Sequence, residues 1–251
     1  MKSKITTYVV NLKKSIDRRS YIENLLSVYD FLNVEFVEAV YGKELSENEL
    51  KLLFDEELAY KRYGRRLSRA EIGCTLSHYK CYEKLIESTK DYVLILEDDI
   101  TILKDISSLP DIVLKMEQED PMVLFLSGDY WYKSLGDIIG DYTLAKVYDA
   151  VGSYAYVINR AGAKLILESN KKPACVSDNW SLYRCQGLKM RAVYPYLIDA
   201  NIESFESTIA QSYFGEYRNN MPIKMRIISY WNALVKKILL KQGKFVSKIR
   251  K

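Results

Sequence analysis

A short apolar run that ends in three carboxylates places the tightest constraint on this chain. Tyr92 to Leu96 (YVLIL) is too short for a typical helix and contains β-formers, so it predicts a fully buried strand. Glu97, Asp98 and Asp99 follow with no basic residue between them. Clustered like charges raise one another's pKa unless a cation lies among them. The pattern indicates either a divalent-metal site beside an anionic ligand such as a nucleotide diphosphate, or a strand that leads into a solvated acidic turn.

Predicted strands and helices alternate along the rest of the chain. Ile5 to Leu12 is a first strand, and the apolar residues between Ile22 and Tyr29 follow it at helical spacing. Further strands are predicted at 34–40, 122–126, 151–158 and 191–196. Helices are predicted at 106–116, 161–168 and 182–186, and loops at 132–146 and 197–210. This order predicts an α/β protein with a mostly parallel sheet flanked by helices.

Polar residues follow the predicted strands where ligands bind in open α/β sheets, outside the carboxyl ends. After the first strand, Asn11, Asp17 and Arg18 are able to reach a base, a ribose or a phosphate. Asp129 occupies the corresponding place after the strand 122–126. For the first of these loops, a capped helix with solvated charges explains the residues equally well.

Two capping boxes mark helix starts. Ser46 with Glu49 opens a helical stretch to about Tyr60, and Ser68 with Glu71 opens a second helix to about residue 88. On the second helix, Cys74, His78, Cys81 and Leu85 share one face. His78 is the single histidine of the chain, and this position suits either a core residue or a site residue.

The charge distribution separates a body from a tail. Ten basic and no acidic residues follow Tyr217, whereas the preceding residues carry 27 basic against 33 acidic side chains. We therefore divide the chain at residues 1–218 and 219–251. From Ile227 the tail has apolar residues at helical spacing with lysines on another side, which is typical of an interfacial membrane helix or of a helix packed on the domain. Aromatic residues are sparse among the lysines, which disfavours nucleic acid as a partner.

The remaining signals concern the compartment and the thiols. Four cysteines occur without a CxxC pair or a ligand-like histidine spacing, so zinc is not expected. The N-terminus is interpreted as a strand rather than a signal peptide, and no apolar run has transmembrane length. These features predict a cytoplasmic protein with reduced thiols.

Several stretches together resemble glycosyltransferase family 25, which includes bacterial lipooligosaccharide galactosyltransferases and glucosyltransferases. The matching stretches, in order, are Val10–Leu12 with Asp17–Arg19, Ala39–Gly42, Leu67–Ser68 with Glu71–Cys74 and Ser77–His78, Leu94–Asp99, Gly152–Ile158 with Arg160–Ala163, Asp178, and Ser207–Ile209. The resemblance covers roughly residues 4–210, and the combination is far more specific than any single motif.

The resemblance implies a GT-A-like fold and an inverting, metal-assisted transfer of galactose or glucose from a UDP-sugar. It implies Mn²⁺ or Mg²⁺ on Asp99, with Asp98 or Glu97 meeting the metal, its waters or the ribose, and Glu203 in the acidic loop as a further ligand. Other residues expected to contact the donor are Asn11, Leu12, Arg18, Glu71 and His78. Asp178, followed by Asp129, is the candidate general base, and Tyr130, Trp131 and Trp180 are expected to stack on sugar rings.

The expected acceptor is an oligosaccharide or a lipid-linked glycan in bacterial lipooligosaccharide or capsule biosynthesis. The basic tail then predicts a peripheral location on the cytoplasmic face of the inner membrane. Two alternatives stay open at this point. One is another metal- and nucleotide-dependent transferase, such as a nucleotidyltransferase, and the other is a non-catalytic homologue that binds sugar nucleotides.

Overall fold

A nine-stranded sheet with helices against it organises the protein in a computed structural model that describes residues 4–116, 120–201 and 222–247. The strands are β1 (Ile5–Asn11), β2 (Leu32–Glu38), β3 (Tyr92–Glu97), β4 (Ile100–Ile102), β5 (Met122–Phe125), β6 (Tyr130–Ile139), β7 (Tyr142–Ala150), β8 (Ala155–Asn159), β9 (Lys189–Tyr194), β10 (Ile198–Ala200) and β11 (Phe245–Val246). The helices are α1 (Ile16–Leu26), α2 (Glu47–Leu53), α3 (Glu56–Tyr63), α4 (Arg69–Glu87), α5 (Leu109–Val113), α6 (Arg160–Ser169), α7 (Trp180–Cys185) and α8 (Ile223–Lys241).

The strand order is β11-β6-β7-β9-β5-β8-β3-β1-β2. Six of the nine strands, β1, β2, β3, β5, β6 and β9, run in the same direction, and β7, β8 and β11 run against them. The predicted α/β class with a mostly parallel sheet flanked by helices is confirmed. Strands β1, β2 and β3 are mutually parallel neighbours, so their carboxyl ends meet at one edge.

Strand β3 lies between two hydrophobic layers. Val93 and Ile95 belong to the layer that contains the buried face of α4, whereas Leu94 and Leu96 belong to the layer that contains Ile22 of α1. All four side chains are fully buried. A strand covered on both faces has no solvent side, which explains why its sequence shows a continuous apolar run rather than an alternating one.

The hairpin β6–β7 corrects the prediction of a loop-rich region at 132–146. From Lys133 to Ile138 the strand β6 is exposed, so it lacks the apolar alternation by which a half-buried strand is recognised. Its strand geometry comes from pairing with β7, with register shifts along the ladder. Pairing with the next strand, rather than an apolar alternation of its own, therefore decided this element.

Two predicted helices also change in extent. The stretch predicted as one helix to about Tyr60 is divided into α2 and α3, because Phe54 is extended and buried while Asp55 accepts a hydrogen bond from the Leu58 amide and starts a new helix. The helix predicted at 106–116 is shortened to α5, which begins with Pro110 in its first turn. Both predicted capping boxes, at Ser46 and Ser68, are present.

The C-terminal region forms the predicted helix, α8, followed by the short strand β11. Strand β11 pairs with β6 at the edge of the large sheet. No helix among the described residues is long and apolar enough to span a membrane. The division of the chain at residue 218 stays a prediction.

Candidate functional site

A cavity of about 270 Å³ opens at the edge where β1, β2 and β3 end. Its walls come from the loop after β1, the loop after β2 and the first turns of α4, and the residues Glu97 to Asp99 line it as well. The parallel pairing of the three strands brings these segments together, since parallel strands place their carboxyl ends side by side.

The loop after β2 reaches the cavity through a close backbone contact with α4. A Cβ atom on Gly42 would lie 1.7 Å from the carbonyl oxygen of Arg69, and one on Gly73 would lie 2.6 Å from that of Val40. The hydroxyl of Ser77 also accepts a hydrogen bond of 2.8 Å from the Val40 amide. Only glycine at both positions permits this approach. The pair therefore sets how closely the loop after β2 packs against α4 at the cavity.

Asp98 and Asp99 are held by one cation and one amide. Asn11 donates to Oδ2 of Asp98 at 2.7 Å, and one Arg18 nitrogen donates to Asp98 at 3.1 Å and to Asp99 at 3.0 Å. Burial and the charge of Glu97 raise the pKa of Asp99 to about 6, although Arg18 opposes the shift. Burial likewise raises the pKa of Asp98. One arginine does not neutralise three crowded carboxylates, so the cluster retains an attraction for a further cation.

Glu97 has different partners, and none of them is a lysine or arginine among the described residues. Its Oε1 lies 3.4 Å from Nε2 of His78 and accepts a hydrogen bond of 3.2 Å from Ser153. Burial alone raises the pKa of Glu97, but the hydrogen bonds from His78 and Ser153 lower it below its usual value. Glu97 is therefore kept as a carboxylate at the floor of the cavity.

His78 is almost fully buried, and both of its ring nitrogens have partners. Nδ1 lies 2.8 Å from the hydroxyl of Tyr156, which in turn lies 2.8 Å from the hydroxyl of Tyr82. The imidazole thus connects a buried tyrosine pair with Glu97 at the cavity. It is buried in the core and also lines the cavity, the two positions that its place in the sequence suggested.

Asp178 lies beside this cluster. Its Oδ2 accepts a hydrogen bond of 3.0 Å from the Gly152 amide, and the neighbouring Ser177 bonds with Ser153 at 2.9 Å. Burial and the charge of Glu97 raise the pKa of Asp178. This shift brings the carboxyl closer to the range in which a general base operates at neutral pH.

Comparison with known proteins identifies the family of this chain. The family model described as "Glycosyltransferase family 25 (LPS biosynthesis protein)" matches residues 4–135, which include all the segments that line the cavity. This chain belongs to glycosyltransferase family 25. The family resemblance seen in the sequence is therefore confirmed.

Curated relatives of this family 25 chain are similar over part of their length. A "Glycosyltransferase 25 family member" from Aedes aegypti is 30% identical over 180 residues, which cover 64% of this chain and 27% of that protein. Human "Procollagen galactosyltransferase 2" is 38% identical over 96 residues, which cover 37% of this chain and 15% of that protein. The matched part thus spans about a quarter or less of these relatives.

Two solved glycosyltransferases are similar in structure to this family 25 chain. The galactosyltransferase LgtC, in complex with donor and acceptor sugar analogues, is 10% identical with a TM-score of 0.38, over 74% of this chain and 73% of that one. The glycosyltransferase GlyE of Streptococcus pneumoniae is 10% identical with a TM-score of 0.41, over 99% of this chain and 66% of that one.

Six of the predicted site residues of this family 25 chain line the cavity, namely Leu12, Arg18, His78, Glu97, Asp98 and Asp99. Asn11 lies behind them and holds Asp98. Glu71 faces Arg65, which donates to it at 2.5 and 2.9 Å, and it also caps α4 through the Ser68 amide. Asp129 lies after β5 with a positive φ of 62°. Glu71, Asp129 and Asp178 are not among the residues that line the cavity.

Other predicted residues have different outcomes. Glu203 lies outside the described residues. The prediction that Trp180 and Tyr130 stack on sugar rings is wrong, because both side chains are fully buried. Trp180 packs edge-on against Phe125 and donates from its indole nitrogen to the Gly152 carbonyl at 2.8 Å. Trp131 stacks on Phe245 of β11 at 4.5 Å between ring centroids.

Sequence reasoning missed several residues of the cavity. Lys14 and Lys43 line it, and the Lys14 ammonium lies 3.2 Å from the centre of the Tyr41 ring. Cys74 lines it as well, one turn before His78 on α4. The spacing of four between Cys74 and His78 was the available signal, since it places both side chains on one helix face.

Proposed function

We propose that this chain is an inverting glycosyltransferase that moves galactose or glucose from a UDP-sugar to a saccharide acceptor. The proposed acceptor is an oligosaccharide or lipid-linked glycan of bacterial lipooligosaccharide or capsule biosynthesis. The observation that carries the proposal is the cavity at the carboxyl ends of β1, β2 and β3, with carboxylates on its floor and cations on its rim. Family membership supports the reaction class.

The cavity suits a nucleotide diphosphate. Lys14, Lys43 and Arg18 line it and supply positive charge for two phosphates. Leu12, Val40 and Tyr41 add apolar and aromatic surface of the kind on which a uracil base packs. The mixture of a few charged groups with an apolar wall is typical of a site that orients a charged small molecule.

The carboxylates fit a hard divalent cation. Asp99 keeps one oxygen outside its ion pair with Arg18. Burial, and then repulsion from Glu97, raise the pKa of Asp99, and a cation would relieve the repulsion. Asp98 and Asp99 would hold Mn²⁺ or Mg²⁺ through oxygen ligands. When bound, such an ion supplies stabilisation of the charge that develops on the departing diphosphate.

Other side chains near the cavity orient the carboxylates or accept the proton of the acceptor hydroxyl. Arg18 orients the two aspartates, and Asn11 prevents Asp98 from rotating away. Asp178 is the favoured base for the acceptor hydroxyl, because the Gly152 amide orients it and its raised pKa strengthens it as a proton acceptor. Asp129 stays the second candidate, since it also follows a strand of the sheet. Asp178→Asn and Asp129→Asn, compared in the same assay, identify the base as the carboxylate whose loss abolishes turnover.

The decisive experiment is a donor screen. Purified protein is incubated with each UDP-hexose, an oligosaccharide acceptor and Mn²⁺, and UDP release is measured. We expect release from UDP-galactose or UDP-glucose that depends on acceptor and metal. Release of pyrophosphate from a nucleoside triphosphate instead would establish a nucleotidyltransferase. Binding of UDP-sugar without turnover, indifferent to Mn²⁺ and to Asp99→Ala, would establish a non-catalytic homologue.

We also propose that α8 places the enzyme on the cytoplasmic face of the inner membrane. One face of the helix is apolar and exposed, and Ile227 and Trp231 keep 65% and 62% of their surface in solvent. Lys237 and Lys241 are exposed beside this face. The opposite side contacts the domain, where Asn232 accepts a hydrogen bond from Tyr148 at 2.8 Å and Lys236 pairs with Asp149. A helix tethered on one side and apolar on the other suits a lipid surface that also carries the acceptor.

A further inference from the structure

Three potential metal ligands of different chemistry meet on the floor of the cavity. Cys74 and His78 lie one turn apart on α4, and Glu97 ends β3 opposite them. One ligand atom from each residue, namely a thiol sulfur, an imidazole nitrogen and a carboxylate oxygen, lies within 4.8 Å of the other two. All three residues line the cavity.

The ligand set selects a particular class of cation. Mg²⁺ and Ca²⁺ bind oxygen ligands, whereas a thiolate with an imidazole favours zinc and its neighbours in the transition series. Three protein ligands with a fourth position open to solvent is the arrangement of a zinc ion that binds a water or a substrate atom. We propose that Cys74, His78 and Glu97 bind a zinc-class divalent cation at a site distinct from the Asp98–Asp99 pair.

Neighbouring groups already orient each ligand. The Tyr156 hydroxyl lies 2.8 Å from Nδ1 of His78, which leaves Nε2 directed toward Glu97. Ser153 donates to Glu97 at 3.2 Å, and the Ser177 hydroxyl lies 3.2 Å from the sulfur of Cys74. Such outer contacts are the means by which proteins fix ligand direction before an ion arrives.

Binding of the ion to these three residues releases one proton. Burial keeps Cys74 as a thiol, so binding breaks its S–H bond, forms a sulfur–metal bond and releases one proton to solvent. His78 binds through Nε2 as neutral imidazole, so the proton that Nε2 donates to Glu97 moves to Nδ1, which then donates to the Tyr156 oxygen. Glu97 is already ionised and contributes an oxygen without proton release.

The local charge favours a cation at this position. Among the described residues, the ion pairs of Arg18 reach Asp98 and Asp99, whereas neither Glu97 nor Asp178 has a lysine or arginine within salt-bridge distance. A divalent ion between Cys74 and Glu97 compensates charge that Arg18 leaves in place. Binding of an ion at these three ligands does not require glycosyl transfer.

Cobalt substitution tests the site directly, because a Co²⁺–thiolate bond gives a charge-transfer absorption that oxygen ligands do not give. We expect wild-type protein to bind one Co²⁺ with this absorption and to release it to Zn²⁺. Cys74→Ser should remove the absorption and weaken Zn²⁺ binding at least tenfold in equilibrium dialysis. The matched control is Cys185→Ser, since Cys185 is exposed and lies outside the cavity. Wild-type protein without the absorption, or Cys74→Ser that retains it, would overturn the proposal.

Two more variants separate this site from the proposed catalytic one. His78→Gln should weaken Zn²⁺ binding while leaving Cys74 in place, and it provides an independent result if Cys74→Ser fails to fold by circular dichroism. Asp99→Asn should leave Zn²⁺ binding within twofold of wild type. Loss of Zn²⁺ binding in Asp99→Asn would show that both motifs hold one ion, which contradicts the proposed second site. UDP release in the donor screen is scored independently of all these results.

Discussion

The cavity edge and the α8 side of the molecule differ in what they bury and what they expose. At the cavity edge, carboxylates are at least partly buried, and Asn11, Arg18, His78 and Ser153 hold them in place. On the α8 side, apolar side chains are exposed, and the neighbouring strand β6 is exposed from Lys133 to Ile138. One region confines charge inside the protein, and the other presents apolar surface outside it.

This difference predicts where the protein tolerates amino-acid substitutions. Buried charge is stable only with exact partners, so substitutions at the cavity edge leave unpaired groups or backbone clashes behind. Exposed apolar surface does not depend on partners within the fold, so its substitution should spare folding and affect only what covers it. Four predictions test this contrast, beginning with the largest effect.

Gly73→Ala should cause the largest loss of stability. Its Cβ atom would meet the Val40 carbonyl oxygen at 2.6 Å and the Gly42 nitrogen at 2.7 Å, and neither backbone atom can rotate away. We expect the free energy of unfolding in urea to fall by about 3 kcal/mol. Gly140→Ala in the β6–β7 turn is the control, because its Cβ meets nothing within 4 Å and costs only about 1 kcal/mol for the left-handed conformation. Equal losses of unfolding free energy in Gly73→Ala and Gly140→Ala would show that the two regions tolerate substitution equally.

Asp99→Asn should reduce turnover more than any change on the hairpin. Loss of the proposed carboxylate ligand removes about 2.7 kcal/mol of charge stabilisation, which corresponds to a decrease of about 100-fold in kcat/KM. The measurement is Mn²⁺-dependent UDP release with the preferred donor. Asp137→Asn on the exposed part of β6 is the matched control and should leave turnover unchanged. An Asp99→Asn enzyme of normal activity would show that this carboxylate does not hold the ion.

Glu71→Gln should make stability less dependent on pH. Burial alone raises the pKa of Glu71, but hydrogen bonds from Arg65 and the Ser68 amide lower it below 4.5. Because the folded-state pKa is lower, the stabilisation is present above about pH 4.5 and is lost as the pH falls through the folded value. We expect the variant to be less stable by about 1.5 kcal/mol at pH 7. The difference from wild type should shrink toward pH 3 in thermal unfolding.

The second capping box provides the control for that experiment. Glu49 caps α2 in the same way as Glu71 caps α4, but it is exposed and has no arginine in an ion pair among the described residues. Glu49→Gln should therefore have a smaller effect at every pH. A larger effect at Glu49 than at Glu71 would mean that capping, rather than the buried ion pair, supplies the stability.

The double variant Ile227→Glu with Trp231→Glu should affect membrane binding alone. Replacing two exposed apolar side chains with carboxylates removes buried area at the lipid surface and adds repulsion from anionic lipids. We expect about tenfold weaker flotation with anionic liposomes, with unfolding and soluble-acceptor turnover unchanged. Ile138→Glu, at an exposed position of β6, is the control. Unchanged flotation of the double variant would end the membrane proposal.

The sequence predicted features whose cause is local. Both capping boxes need only residues three apart, and each lies where it was expected. The apolar run before Glu97 required burial on both faces, and β3 has it. Asn11, Arg18 and the three carboxylates follow strands that the pattern identified, so the parallel-sheet rule was sufficient to bring them to one edge.

Features that depend on a pairing or packing partner escaped the sequence. The strand β6 exists because the next strand, β7, pairs with it, and Trp180 is buried because Phe125, Tyr156 and Tyr183 surround it. No local pattern distinguishes a tryptophan in a cleft from one in the core, since both are apolar and large. The expectation of sugar stacking failed for this reason.

The carboxylate motif shows most clearly what the sequence determined and what the tertiary structure decided. The sequence by itself determined that Glu97, Asp98 and Asp99 end a buried strand, because hydrophobic length and position along the chain are local properties. Only the tertiary structure decided that Asp98 and Asp99 pair with Arg18, whereas Glu97 turns to His78 and Cys74. Strand β3 ends at Glu97, and Asp98 and Asp99 lie in the turn that follows it. The partners of each carboxylate are therefore decided by α1 and α4, which carry Arg18 and His78 and pack there from elsewhere in the chain.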